Sequence, residues 1–187
     1  MSRALSRWRS HVGKEAGALC SLLRERGSLT LRLRAAAEFS VRRLHQRAAP
    51  VLRDEAARLK ARAGEMVWTR EVLLCCDGQA VVFARSAMLR HPRHPFDLDF
   101  AALQNRALGA ALFADPCVLR SPLEFCRLDT RAPLYRRAAQ SLPDAVLPPR
   151  LWARRSCFGP KAKGVLVTEV FLPAVLHFQK ILTAHRC

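Results

Sequence analysis

Hydrophobic and polar positions change rhythm once along the chain, near Met66. Before that point the spacing is mostly helical. From about Glu15 to Arg26, Leu19, Leu22 and Leu23 share one helix face, and Gly27 stops the helix. Ser28 is suited to cap a second helix running through Leu29, Leu31, Leu33 and the Ala35–Ala37 run. Phe39, Val41, Arg43 and His45 then alternate with Ser40, Arg42 and Leu44, a faint first strand. Residues 47–65 mix charges with many alanines and read as an exposed connecting segment or helix.

After Met66 the pattern is that of paired strands. Val67, Trp68 and Val72–Leu74 form one, Asp77-Gly78 the turn, and Ala80 to Met88 the return. Pro92 and Pro95 precede a helical stretch from about Leu98 to Leu112. Val118 to Leu128 reads as an irregular strand containing Pro122, and residues 130–149 as loop with a short helix around Leu134–Ala139. Leu151–Phe158, the turn from Gly159 to Gly164, and Val165–Leu172 make a second hairpin, ended by Pro173. Helices in front and antiparallel hairpins behind, without βαβ alternation, predict an α+β fold. At 187 residues and 21.0 kDa this is one domain over 1–187, with 1–17 and 177–187 expected to be peripheral.

Composition adds a loud feature. The chain carries 32 Lys plus Arg against 15 Asp plus Glu, a net +17, and 50% hydrophobic residues exclude intrinsic disorder. The excess is dispersed, +9 over residues 1–66 and +8 over 67–187, so it is not a polycationic tail. Seven cysteines without C-x-x-C spacing fit reduced thiols in a cytoplasmic protein better than a zinc ribbon or disulfide framework. No apolar run has the length of a membrane span, Glu169 interrupting the best one, and no secretory leader is evident.

Two charges stand where strands want apolar residues. Glu169 shares a face with Val165, Val167 and Phe171, and Arg85 with Phe83 and Ala87. A buried charge is costly unless paired. Either the two form a structural ion pair, or Arg85 clamps an anion in a pocket where Glu169 meets a hydroxyl or a proton. Two backbone features suit an anion: the helix start at Gly27-Ser28-Leu29-Thr30, and the small residues around Leu108 in Ala107-Leu108-Gly109-Ala110. Of Arg154 and Arg155, adjacent in a strand, at least one is expected to be a solvated or edge-guarding charge. P-loop, Rossmann, zinc-protease and G-x-S-x-G patterns are absent, and no metal or other cofactor is indicated.

Six stretches in order carry a resemblance to the chorismate pyruvate-lyase family. They are Gly27–Leu33, Trp68–Gly78, Phe83–Ser86, Ala107–Phe113, Trp152–Ser156 and Thr168–Pro173. The resemblance implies a small domain with a roughly six-stranded antiparallel sheet and a ligand enclosed under helical flaps. It implies cofactor-free conversion of chorismate to 4-hydroxybenzoate and pyruvate on the route to ubiquinone, by a monomer prone to product inhibition. It assigns the ring carboxylate to Arg85 with backbone amides at Leu29 and Leu108, and the ring hydroxyl to Glu169. Residues 34–65 and 177–187 have no secure counterpart. The rival reading is a non-catalytic small-anion sensor of the same fold. A nucleic-acid module fits poorly, since RNP and zinc-finger motifs and aromatic–basic interleaving are missing.

Overall fold

A computed structural model describes residues 7–90, 108, 112, 117–159 and 164–178. A 3-10 turn (Lys14–Leu19) runs into α1 (Cys20–Leu23), followed by α2 (Leu29–Ala36), β1 (Phe39–Pro50) and α3 (Arg53–Leu59). Next come β2 (Met66–Cys76), β3 (Gln79–Leu89), β4 (Leu119–Arg120), β5 (Glu124–Asp129) and α4 (Pro133–Gln140). The last elements are β6 (Arg150–Gly159), β7 (Val165–Phe171) and a 3-10 turn (Pro173–Phe178). This is the expected α+β class.

The strands form one sheet in the order β1-β2-β3-β7-β6-β4, with β5 also paired to β6, and every pairing is antiparallel. Among the described residues there are seven strands where about six were expected. The Val118–Leu128 run splits at Pro122, whose nitrogen cannot donate to a ladder, into two short strands that both pair with β6. Asp77 and Gly78 both adopt positive φ (47° and 75°), the geometry a tight two-residue hairpin turn requires. The predicted Glu15–Arg26 helix is instead broken at Gly17, whose φ of 51° and ψ of −130° lie outside the helical region.

Residues opposite each other on antiparallel neighbours share a face, so the register sorts side chains into two layers. On the upper face Val72, Leu74, Ala84 and Phe171 pack beneath α1 and α2, against Leu22, Leu23, Leu29 and Leu33. On the lower face Leu73, Phe83, Ala153 and Val170 meet Leu134, Tyr135 and Ala138 of α4. Beside them Val67, Ala87 and Leu166 meet Leu59 of α3.

Three expectations change. Val12 and Ala16 are buried in the upper core, and Arg9 bridges to Phe125, so this part of the N-terminal segment is built into the fold. Phe178, expected at the periphery, is 8% exposed in the same core. Residues 47–65 are not simply an exposed connection. They complete β1 and form α3, whose Glu55 is 1% exposed. Of the helix expected over 98–112, only Leu108 and Leu112 are described, and both are helical. Turn residues 160–163 and the tail 179–187 lie outside the described residues. Among the described residues no helix is long and apolar enough to cross a membrane.

Candidate active site

The upper face carries a cavity between the sheet and the helix starts. Its floor is read off the ladder: Arg70 and Val72 from β2, Ala84 and Ser86 from β3, Val167 and Glu169 from β7, and Arg154 and Ser156 from β6. Gly27–Thr30, with Leu108 and Leu112, close it, and the empty space is about 610 Å³ including its solvent-facing part. Leu29 and Leu108 both line this cavity, 2% and 6% exposed.

Each wall has a local cause. Ser28 caps α2, its Oγ accepting the Leu31 N–H at 3.4 Å, while the first intrahelical bond runs from Arg32 N–H to the Ser28 carbonyl. The N–H groups of Leu29 and Thr30 lie ahead of that bond, at the positive end of the helix. Arg154 Nε donates to Glu169 Oε2 at 2.5 Å, and its Nη1 donates to the carbonyls of Leu22 and Glu25 at 2.9 and 2.8 Å, closing the end of α1. Arg120 stretches from β4 over the Phe158 ring. It donates to Ser156 Oγ at 2.9 Å and to the Arg26 carbonyl at 2.7 Å.

Arg85 is not in this cavity. Ala84 pairs with Glu169 across β3 and β7, so Ala84 and Glu169 share the upper face and Arg85 must point down. There it is 1% exposed and bound by two carboxylates. Its Nε and Nη2 donate to the two oxygens of Glu55 at 2.6 and 3.1 Å, and its Nη1 to Glu71 Oε1 at 2.7 Å. Arg137 adds a bond to Glu71 at 3.0 Å, and His45 lies 3.4 Å from the other Glu71 oxygen. The anion-clamp assignment of Arg85 is thereby corrected, and so is the alternative that it pairs with Glu169. Its partners are Glu55 and Glu71, and Glu169's is Arg154.

The arginine that the register does bring to the cavity is Arg70, opposite Ser86 and 2% exposed. Burial and the nearby Arg43 guanidinium push its pKa down. At Arg120 burial, reinforced by Arg154, lowers the pKa to about 10. At Arg85 burial works against the charge, but Glu55 and Glu71 outweigh it and the pKa is raised. The cavity thus sets three guanidinium groups, from Arg70, Arg120 and Arg154, against the carboxylate of Glu169, and its field favours an anion. Among the described residues no three His, Cys, Asp or Glu side chains gather as a metal site.

A family described as chorismate lyase matches residues 2–181. The chain belongs to the chorismate lyase family. Membership makes it an enzyme, a lyase. A probable chorismate pyruvate-lyase from Aromatoleum aromaticum is 50% identical over 155 residues, covering 82% of this chain and 84% of that one. Another from Dechloromonas aromatica is 43% identical over 176 residues, 91% and 96% of the two chains. In fold the family member is similar to the C-terminal domain of PhnF, with a TM-score of 0.53 at 17% identity over 80% of this chain and 92% of that one. It is also similar to the ligand-binding domain of a GntR-family regulator from Bordetella bronchiseptica, with a TM-score of 0.51 at 17% identity over 73% and 86%. These two likenesses concern the fold alone.

Sequence reasoning passed over Arg70 and Arg120 and discounted Arg154. Arg70-Glu71 places opposite charges on the two faces of one apolar strand, a signal as strong as the one at Arg85. Arg154 and Arg155 are both buried, at 1% and 7%, so neither guards an edge. Arg155 points down, bonded to Glu124 at 2.7 Å and to the Asp54 carbonyl at 2.9 Å.

Proposed function

We propose that this lyase eliminates pyruvate from chorismate to give 4-hydroxybenzoate, without a cofactor, as the first committed step towards ubiquinone in the cytoplasm. The observation that carries the reading is the set of three arginines and one carboxylate around a partly enclosed, otherwise largely apolar cavity. Chorismate is a cyclohexadiene with a carboxylate at C1, an enolpyruvyl ether at C3 and a hydroxyl at C4. When the C3–O bond breaks, the C4–H electron pair completes the aromatic ring. The hydrogen ends on the methylene carbon of the leaving fragment, which departs as pyruvate. Aromatisation supplies the driving force, so the protein's task is to bind, orient and exclude water.

Arg70 takes the C1 carboxylate, with the N–H groups of Leu29 and Leu108 as further donors. A planar guanidinium fits both oxygens, and the anion relieves the cost of burying the cation. Ala84 and Ser86 on the intervening strand are small enough to leave room for a ring. β2 and β7 are two strand spacings apart, on the order of 10 Å, so Glu169 meets the opposite end of the ring. There its carboxylate accepts from the C4 hydroxyl, held in place by Arg154.

Incubating the pure protein with chorismate tests the reading. Equal amounts of 4-hydroxybenzoate and pyruvate are expected. Tight binding of chorismate without either product would favour the sensor reading instead.

A further inference from the structure

Chorismate carries a second carboxylate, on the enolpyruvyl group, and the product 4-hydroxybenzoate does not. C3 adjoins C4, so that group leaves the ring at the Glu169 end, away from Arg70. The strands beyond Glu169 are β6 and then β4. On the cavity side they present Arg154, already bonded to Glu169, and Arg120.

We propose that Arg120 receives the enolpyruvyl carboxylate and so distinguishes the dianionic substrate from the singly carboxylated product. This rests on the activity proposed above. The Arg120 side chain is fixed by the Phe158 ring and by neutral oxygens, the Ser156 hydroxyl and the Arg26 carbonyl, at 2.9 and 2.7 Å. Those bonds hold the guanidinium at the cavity wall. Burial and the cation of Arg154 weigh against its charge, Glu169 and Glu25 favour it, and an arriving carboxylate would add to their effect. Arg120 also lines an open groove with His11, Arg24 and Arg26, outside the cavity. One side chain thus borders both the cavity and a basic groove outside it.

The test compares Arg120→Met and Arg120→Lys with the unaltered enzyme, measuring KM and kcat for chorismate and Kd for 4-hydroxybenzoate. Arg120→Met is expected to raise KM for chorismate about tenfold or more, the worth of one charged hydrogen bond, while product Kd stays within about twofold. Arg120→Lys should fall between, keeping the charge but not the planar fork. Equal weakening of chorismate and 4-hydroxybenzoate, or no change in either, would overturn the proposal. Should Arg120→Met fail to fold, the same comparison on Arg120→Lys decides it. If the unaltered protein turns nothing over, the proposed activity itself fails. The preference for the dianion is then still read from equilibrium binding of the two ligands.

Discussion

Arg70 and Arg85 are both buried in the first hairpin, at 2% and 1% exposure, yet they face opposite layers of the sheet and meet different surroundings. Below, the fold supplies Arg85 with its countercharges from Glu55 and Glu71, and α3 and α4 seal the cluster. Above, Arg70 borders a cavity, with burial and Arg43 weighing against its charge. Burial of an arginine therefore does not by itself mark a binding site. What separates the two is what the fold sets beside each guanidinium, two buried carboxylates at Arg85 and the wall of a cavity at Arg70.

Removing each partner in turn sharpens that contrast. The largest effect is expected from Arg85→Met, which leaves Glu55 and Glu71 buried without their main cation. Denaturant unfolding should show a loss of about 3–5 kcal/mol. Replacing the cluster together, with Glu55→Gln and Glu71→Gln added, should return much of that loss, because uncompensated charge is its source. Arg70→Met should do the reverse, costing little stability and weakening 4-hydroxybenzoate binding roughly 100-fold by titration calorimetry. Glu169→Gln keeps an acceptor for Arg154 but loses the charge, so steady-state assays should show kcat lowered about tenfold with the melting temperature nearly kept. Ser28→Ala removes the α2 cap and should cost about 1 kcal/mol.

The smallest effect concerns pH. Burial, against the pull of Glu71, lowers the pKa of His45 below its ordinary 6.5. As pH falls from about 6.5 towards that lower value, the unfolded chain binds a proton that the folded one refuses, and stability declines. It is fully present above the ordinary value. His45→Gln should flatten this part of a stability–pH profile measured by denaturant unfolding.

Much of this could be read in the chain because its signals are local. Asp77-Gly78 fixes the first hairpin, Ser28 the start of α2, and the alternation around Glu169 marks a strand covered on both faces. Assigning the two arginines needed distant information. Whether Arg70 or Arg85 joins Glu169 depends on the β3–β7 register, which pairs residues 77 to 89 positions apart and is written in neither hairpin alone. Glu55 was missed for a related reason. Alanines and mixed charges around it suggest an exposed helix, and only Arg85, 30 residues on, explains its burial. The dispersed +17 gave no sign of where charge would gather, whereas the fold brings three of those cations, Arg70, Arg120 and Arg154, to one cavity.

The most direct measurement is the affinity for 4-hydroxybenzoate of Arg70→Met and Arg85→Met side by side, each taken where unfolding shows the protein to be folded. The expected result is a loss of roughly 100-fold for Arg70→Met and near-unaltered affinity for folded Arg85→Met. Retained affinity in Arg70→Met, with loss in Arg85→Met, would contradict the assignment of the two faces.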